Sequence, residues 1–388
     1  MVKNKPFYMY LLASTVSSFG SLLSFFAIPM IVYNMYHSGT LLSLFELISV
    51  IISISLSIPF GFWLDRKNLK RYWIIFSLIL GFSGLFVFFW ISIYTLLLYN
   101  IICAFLFIGI AISKQALIVD IVKKDALSWA NNVIFFLLIL AGIIAPLVGG
   151  LLLSISWHLP FLIDSITFFF EVVIVSLIPF KDSGKHTGYK REKALSKFKE
   201  TFQYVHQNRV VKYTLILSTI TLLIGGGIKI INIAYFSDMS MPYILYGMAT
   251  GLIALGMGII AMLNTFKIIL IKSPYKAIVF SLPVYFLFYL SIFLLYHSYF
   301  SIFIFILLGL GNGMASPNFN AVIQKFTNKE NLTRIIGLKN TVNNASKMLS
   351  VIVMGFLVDL YSPLYIYLFS GFLFIITFIV FYPTTLKK

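Results

Sequence analysis

Charged side chains sit inside long apolar stretches of this 388-residue chain, among them Glu46, Asp164 and Glu171 on the acidic side and Lys114, Lys229 and Lys347 on the basic side. A charge held away from water is costly, and it persists where it meets a partner, faces a wet cavity or handles a proton. The chemistry open to these residues is proton exchange at a carboxyl group and electrostatic attraction at an ammonium group. Asp164 and Glu171 stand seven positions apart, two turns along one helical face. Glu46, Asp164, Glu171 and Lys229 are the candidates for coupling proton movement to a conformational change. Asn340, Asn344 and Lys347 share another face at helical spacing, and Asn232 follows the run Gly225-Gly226-Gly227. These four are candidates for a cavity wall, although a stripe of hydrogen bonds between helices would leave the same pattern. No metal or cofactor is expected. The single cysteine, Cys103, lies in an apolar run, and His37, His158, His186, His206 and His297 form neither a His-x-x-His nor a His-Glu-x-x-His pattern.

The elements that must position these residues are membrane helices. Hydrophobic residues make up 60% of the chain and charged residues only 11%, with a mean hydropathy of +0.98, more apolar surface than a water-soluble fold can hide. About 20 apolar residues cross the hydrocarbon core as a helix, and runs of that length predict spans over 7–33, 41–64, 72–91, 94–117, 129–154, 159–179, 213–235, 243–266, 277–295, 299–322, 333–358 and 363–382. The ten-residue alternation of a membrane β-barrel is absent. With the N-terminus inside, 25 of the 29 Lys and Arg residues fall in or beside cytoplasmic loops, and the other four (Lys114, Lys229, Lys339, Lys347) fall within spans. The positive-inside rule then places both termini in the cytoplasm, and the formal charge of +17 becomes a topology signal, with no nucleic-acid partner implied. The first span is read as retained, since no small-residue cleavage site follows it. Within these spans Glu46 and Lys229 lie at matching depths, about six and seven residues from the outer ends. They form either a proton-sensitive pair or two side chains that each snorkel or meet a backbone carbonyl.

One long polar stretch, 181–212, divides the chain into a half of six spans over 1–180 and another over 213–388. Its second part spaces Phe198, Phe202 and Val205 at helical intervals, as in a helix lying on anionic headgroups; a solvated loop is the alternative. A shift of 205 positions superposes Ala116-Leu-Ile-Val-Asp-Ile-Val-Lys-Lys-Asp-Ala-Leu127 on Ala321-Val-Ile-Gln-Lys-Phe-Thr-Asn-Lys-Glu-Asn-Leu332 without a gap. Two parallel six-helix repeats are an architecture of transporters that rock one half against the other.

Between the second and third spans stands Gly61-Phe-Trp-Leu-Asp65-Arg66-Lys67-Asn68-Leu69-Lys70-Arg71. It resembles the loop motif of the major facilitator superfamily, Gly-x-x-x-Asp-Arg-x-Gly-Arg-Arg/Lys. The resemblance implies an inner gate in which Gly61 permits close packing, Asp65 faces the start of the eleventh helix, and Arg66, Lys70 and Arg71 stay cytoplasmic. Asn68 replaces the mid-loop Gly, a substitution expected to be tolerated because Asn also visits left-handed conformations. The fifth span carries Gly142-Ile-Ile-Ala145-Pro146-Leu-Val-Gly149-Gly150, which is similar to the antiporter motif of this superfamily with Ala145 in place of one Gly. That motif implies a bent, closely packed helix of the kind exporters have. The run from Gln115 to Asp120, Asn131-Asn132, and Phe161-Leu-Ile-Asp164-Ser-Ile-Thr-Phe168 is similar to the drug-exporter branch that includes macrolide-efflux and enterobactin exporters. Its implied sixth helix is peripheral, which favours a packing or interfacial role for Asp164.

The expected fold is thus all-α, with twelve membrane helices in two six-helix halves. The expected function is secondary active export of an amphipathic small molecule, a drug or a siderophore, by proton antiport with alternating access in the plasma membrane. The chain is expected to work as a monomer with substrate, protons and membrane lipids as partners and with no cofactor. Translocation of a lipid or another metabolite is the alternative, and a membrane-embedded transferase the more distant one, since every outer loop is short.

Overall fold

A computed structural model describes residues 5–64, 67–122, 126–179, 204–265 and 273–386. Their helices include α1 (Lys5–Tyr36), α2 (Gly39–Leu64), α3 (Leu69–Phe89), α4 (Ile93–Ile121), α5 (Leu127–Ile155), α6 (Leu159–Leu177), α7 (Arg209–Gly225), α8 (Ile228–Asp238), α9 (Tyr243–Thr265), α10 (Pro274–Leu294), α11 (Ser301–Phe326), α12 (Lys329–Leu360) and α13 (Pro363–Leu386); residues 204–207 are helical too, and Phe198 and Phe202 of the expected surface helix lie outside the described residues. Twelve spans result, because α7 and α8 together make one, Arg209–Asp238. The break between them falls at Gly226 and Gly227, where the run of three glycines offers no side-chain packing to hold a continuous helix. Local signals set several helix starts. Asn68 and Asn208 each accept a backbone N–H three residues on, Ser92 and Thr95 form a capping box, and Pro160 and Pro274 stand in first turns.

The repeat expected from twelve residues runs through the architecture. The starts of α2 and α9 are 204 positions apart, as are those of α6 and α13, while α3 and α10 start 205 apart. The last residues of α4 and α11, Ile121 and Phe326, are also 205 apart, and the residues after them, Val122 and Thr327, have nearly the same dihedrals (φ −115°, ψ 133° and φ −114°, ψ 134°).

The chain clusters into two units. Unit 1 comprises Met1–Tyr36, Leu44–Tyr189 and Pro242–Met248. In it α1 packs on α5 and α6, and α3 packs on α4 and α6. Gly20 marks a close approach of α1 to α6, where an added Cβ would stand 2.0 Å from Thr167 Oγ1; a side chain there would force the two helices apart. Unit 2 comprises His37–Ser43, Lys190–Met241 and Ala249–Lys388, with α10 against α11 and α13, and α12 against α7 and α8. Its core is aromatic: Tyr235, Tyr289, Tyr367, Phe236, Phe288, Phe305 and Phe374 are all buried. Large apolar side chains such as Phe82, Ile166, Phe303 and Ile379 are exposed, as lipid-facing residues must be, and Phe89, Trp90, Tyr94, Tyr299 and Phe300 cluster at helix ends where aromatic belts lie.

Candidate functional site

The charged candidates separate into two buried carboxyls, half-buried side chains and one exposed lysine. In unit 1, Asp164 and Glu171 on α6 are both completely buried. Asp164 accepts hydrogen bonds from Ser24 Oγ at 2.7 Å, from Ser21 Oγ at 3.5 Å and, in a very short contact, from the Tyr99 hydroxyl of α4. No cation is among these partners. Two turns on, Glu171 accepts from Ser17 Oγ at 2.6 Å and from Ser77 Oγ of α3 at 2.7 Å, and pairs with Lys114 Nζ of α4 at 2.8 Å. Lys114 Nζ also donates to Ser17 Oγ at 3.3 Å and lies 5.3 Å from the ring centre of the buried Trp73. Four helices therefore contribute to one continuous column of two carboxyl groups, one ammonium group and hydroxyls.

The sequence pattern had placed both carboxyls on one face, and the structure gives that face its partners at the centre of a helix cluster. The signal that would have found the partners is on α1: Ser14, Ser17, Ser21 and Ser24 recur at steps of three and four, a hydroxyl stripe at helical spacing. Lys114 and Glu171 are both legible as intramembrane charges, but 57 positions separate them, and sequence alone does not pair them.

Glu46 is half-buried in α2 of unit 1, and Lys229 is half-buried in the first turn of α8 of unit 2. Asn232, a cavity candidate, lies instead in the packed interior of unit 2, where its Oδ1 accepts from the Tyr367 hydroxyl at 2.7 Å. Asn340, Asn344 and Lys347 are exposed together on α12. Their neighbour Asn343 turns toward α7 and accepts from Ser218 Oγ at 3.0 Å.

Of the loop motif, Asp65 and Arg66 lie outside the described residues, so the inner-gate contact expected of Asp65 has no counterpart to report. Lys70 Nζ donates to the carbonyls of Ser176 and Ile178 at 2.8 and 2.7 Å, tying the start of α3 to the end of α6, where a cation suits the exposed carbonyls. Arg71 receives the N-cap bond from Asn68 Oδ1 at 2.9 Å. Asn68 has φ −70°, so its use here is the cap and not the left-handed backbone anticipated for it. Gly61 is not a close contact either: an added Cβ would meet only Ile112 at 4.0 Å, and the tight crossing falls at Gly109, against Phe60 and Phe76.

The helix 5 motif divides in the same way. A Cβ at Gly142 would meet nothing within 4 Å, whereas one at Gly149 would stand 2.9 Å from the Phe26 ring and one at Gly150 2.7 Å from the Tyr243 carbonyl oxygen. Gly247 returns the contact, since a Cβ there would lie 2.3 Å from the Pro146 carbonyl oxygen. Helix α5 and the first turn of α9 thus meet backbone to backbone, and the stacked rings of Phe26 and Tyr246, 5.2 Å apart, close the side of the crossing.

One contact escaped the sequence altogether. The Asp359 carboxylate near the end of α12 accepts from the backbone N–H groups of Gly39 and Thr40 and from Ser38 Oγ, capping the first turn of α2. Gly39 and Gly355 let the two backbones approach: an added Cβ on either would lie 2.7–2.8 Å from the carbonyl oxygen of the other.

A family model described as Major Facilitator Superfamily matches residues 10–350 and, again, 273–388. No curated protein matches the sequence significantly. Solved structures share the fold at low identity. The nucleoside transporter NupG is 14% identical, with a TM-score of 0.72 over 98% of each chain. A bacterial homologue of the human lysosomal transporter Spinster, inward-facing and unoccupied, is 14% identical with a TM-score of 0.70, over 98% of this chain and 95% of its own. A bacterial homologue of the iron transporter ferroportin, inward-facing, is 15% identical with a TM-score of 0.69, over 97% of this chain and 99% of its own. The twelve spans, the repeat of about 204 positions and the family match agree: this chain belongs to the Major Facilitator Superfamily and is a multi-pass membrane transporter rather than an enzyme.

Proposed function

We propose that the chain exports an amphipathic small molecule across the plasma membrane in exchange for protons, as a monomer with both termini in the cytoplasm. The observation that carries the proton part of this reading is the column in unit 1. Asp164 and Glu171 are shut away from solvent, one of them held by hydroxyls alone and the other by two hydroxyls and one ammonium group. A carboxyl surrounded by hydroxyls can keep its hydrogen-bonding partners in either protonation state, because each hydroxyl donates or accepts. Such a site takes up and releases a proton with little local rearrangement, and the Lys114–Glu171 pair can then respond to the change in charge nearby. Glu46 and Lys229, half-buried in their own units, remain candidates for the coupling.

Export as the direction is supported by the likeness of the helix 5 motif to the antiporter motif and by its close packing at Gly149 and Gly150. The drug-exporter branch is supported by the runs at 115–120 and 161–168. The related structures are named for nucleoside, lysosomal and iron transport, so likeness of fold leaves the substrate open.

Inverted membrane vesicles with an imposed inward-acid gradient test the reading. Addition of amphipathic fluorophores, one anionic set and one cationic set, should give uptake that is abolished by dissipating the gradient, together with proton outflow. Asp164→Asn should retain the protein in the membrane and lose the gradient dependence. Uptake by wild type that is indifferent to the gradient would refute proton antiport.

A further inference from the structure

Resting on the transporter reading, we propose that the exposed face of α12 formed by Asn340, Asn344 and Lys347 binds the substrate, and that it selects an organic anion. Lys347 lies at the middle of its span: thirteen residues separate it from Arg334 and thirteen from Leu360, the two ends. At 1.5 Å per residue that is about 20 Å of helix in each direction, too far for the side chain to reach either membrane surface by snorkelling. Among the described residues its ammonium group makes no hydrogen bond or ion pair. The other lysines of the spans differ in this respect, with Lys114 paired to Glu171 and Lys339 donating to Asn320 Oδ1.

Lipid does not account for the exposure. Leu349, Val353 and Phe356 are exposed on α12 too, and at 3.6 residues per turn they lie on the opposite side of the helix from Asn340, Asn344 and Lys347. The helix therefore shows two exposed faces, an apolar one suited to hydrocarbon and a polar one that needs water or a ligand. The polar face continues outward as Val351, Met354 and Gly355, which are buried, so it has a closed end and an accessible end within unit 2.

The neighbouring backbone adds to the site. The interruption between α7 and α8 lies beside Lys347: an added Cβ on Gly226 would stand 3.2 Å from Lys347 Cα and 3.1 Å from Ser350 Cβ. Helix α8 then begins at Gly227 without a side-chain cap. Interrupted helices at mid-depth are where transporters of repeat architecture hold substrates, and the positive end of a half-helix suits an anionic group. One ammonium group with two carboxamides one and two turns away, each amide able to donate from Nδ2, fits a single carboxylate, sulfonate or phosphate monoester on a larger body.

Cysteine labelling and thermal unfolding of the full-length protein test the proposal. Cys103 is the single, buried cysteine, so Cys103→Ala provides the background for Asn344→Cys. Both a sulfonatoethyl and a trimethylammonioethyl methanethiosulfonate should label Asn344→Cys from water, and Lys347→Gln should lower the ratio of anionic to cationic rate by about fivefold or more. Lys347→Arg should keep the ratio. Absence of labelling, or a ratio indifferent to Lys347, would overturn the proposal. In the second arm, 2-naphthalenesulfonate should raise the unfolding temperature of the wild type and 2-naphthylmethylammonium should not. Lys347→Gln should lose this stabilisation, and Lys347→Glu should reverse the preference. Equal stabilisation by both compounds, by neither, or of Lys347→Gln by the sulfonate would equally overturn it. Failure of the transport reading looks different: gradient-driven movement would be absent from wild-type vesicles while labelling and stabilisation kept the stated pattern.

Discussion

The two units share a helix order and differ in where they keep charge. Unit 1 buries two carboxyls among α1, α3, α4 and α6 and pairs one of them with the half-buried ammonium group of Lys114. Applying the shifts of 204 and 205 positions, Ser77 corresponds to Leu282, Lys114 to Phe319, Asp164 to Leu368 and Glu171 to Ile375. The corresponding interior of unit 2 is held by neutral bonds: Tyr367 to Asn232, Tyr235 with Ser301, and Tyr285 to Asn312 at 2.9 Å. Unit 2 also buries Lys339, which donates to Asn320 Oδ1, and it displays Lys347 on the surface of α12. Applying the shift of 205, Lys347 corresponds to Gly142 of α5, where an added side chain would meet nothing within 4 Å. One scaffold thus supports an ionic interior in one copy and an ionic face in the other. The fold requires neither.

The largest effect should come from breaking the ion pair. Glu171→Gln leaves the half-buried Lys114 ammonium group without its counter-charge, at a cost of up to about 3 kcal/mol, the lower end for a fully buried pair. Replacing both partners by apolar residues, Lys114→Met with Glu171→Leu, gives unit 1 the kind of interior that unit 2 has, and most of the lost stability should return. Gradient-driven transport should stay lost. Thermal unfolding in detergent measures the first quantity and vesicle uptake the second. A double variant no more stable than Glu171→Gln would mean that the pair is not what holds this region.

Next in size is the helix 5 crossing. Gly150→Ala forces the backbone of Tyr243 and Ile244 away, with a loss of about 1–3 kcal/mol, because the nearest atoms are backbone at 2.7–2.8 Å. Gly142→Ala should cost nothing measurable and keep transport. Equal effects of the two substitutions would show that the motif acts as a unit and not through the contact at its end.

These two glycines also show what the sequence made legible. Span limits follow from hydropathy alone, and the expected limits agree with the helices to within a few residues; 159–179 against Leu159–Leu177 is one instance. The repeat was legible from a dozen residues because a helix end and its turn are short-range features. Motif membership was legible as well, but residue type does not say which face of a helix meets a neighbour. Gly61 and Gly142 match their motifs yet touch little, while Gly109 and Gly20, outside any motif, mark the close crossings. Long-range pairing is hidden for the same reason. Lys114 and Glu171 announce themselves as charges, and only tertiary packing joins them.

A smaller effect sharpens the contrast between ionic and neutral interiors. Tyr367→Phe removes a single neutral hydrogen bond in unit 2 and should cost about 0.5–1.5 kcal/mol. Tyr99→Phe removes a bond to a carboxyl in unit 1, and its cost should be about 1.5–3 kcal/mol. If the two losses were equal by thermal unfolding, Asp164 would be behaving as a neutral acceptor, and the distinction between the interiors would rest on Lys114 and Glu171 alone.

The smallest effect concerns a charge at the edge of unit 2. Asp359 caps the first turn of α2 through Gly39, Thr40 and Ser38, and it is exposed, unlike the carboxyls of unit 1. An exposed carboxylate at a helix N-terminus contributes about 0.3–1 kcal/mol through the helix dipole. Asn at this position keeps one acceptor oxygen and loses the charge, so Asp359→Asn should lower global stability by less than about 1 kcal/mol. The consequence should be local. Opening of the first turn exposes its amides, and hydrogen exchange at Gly39 and Thr40 should quicken by up to about fivefold, as a loss of 1 kcal/mol in local opening free energy implies. From Leu44 onward α2 clusters with unit 1, and exchange there should not change. Faster exchange along the whole of α2 would show that Asp359 holds the entire helix and that the change of unit at Leu44 has no energetic meaning. No change at Gly39 and Thr40 would show that water replaces the carboxylate at no cost, leaving the buried column as the place where charge governs the stability of this transporter.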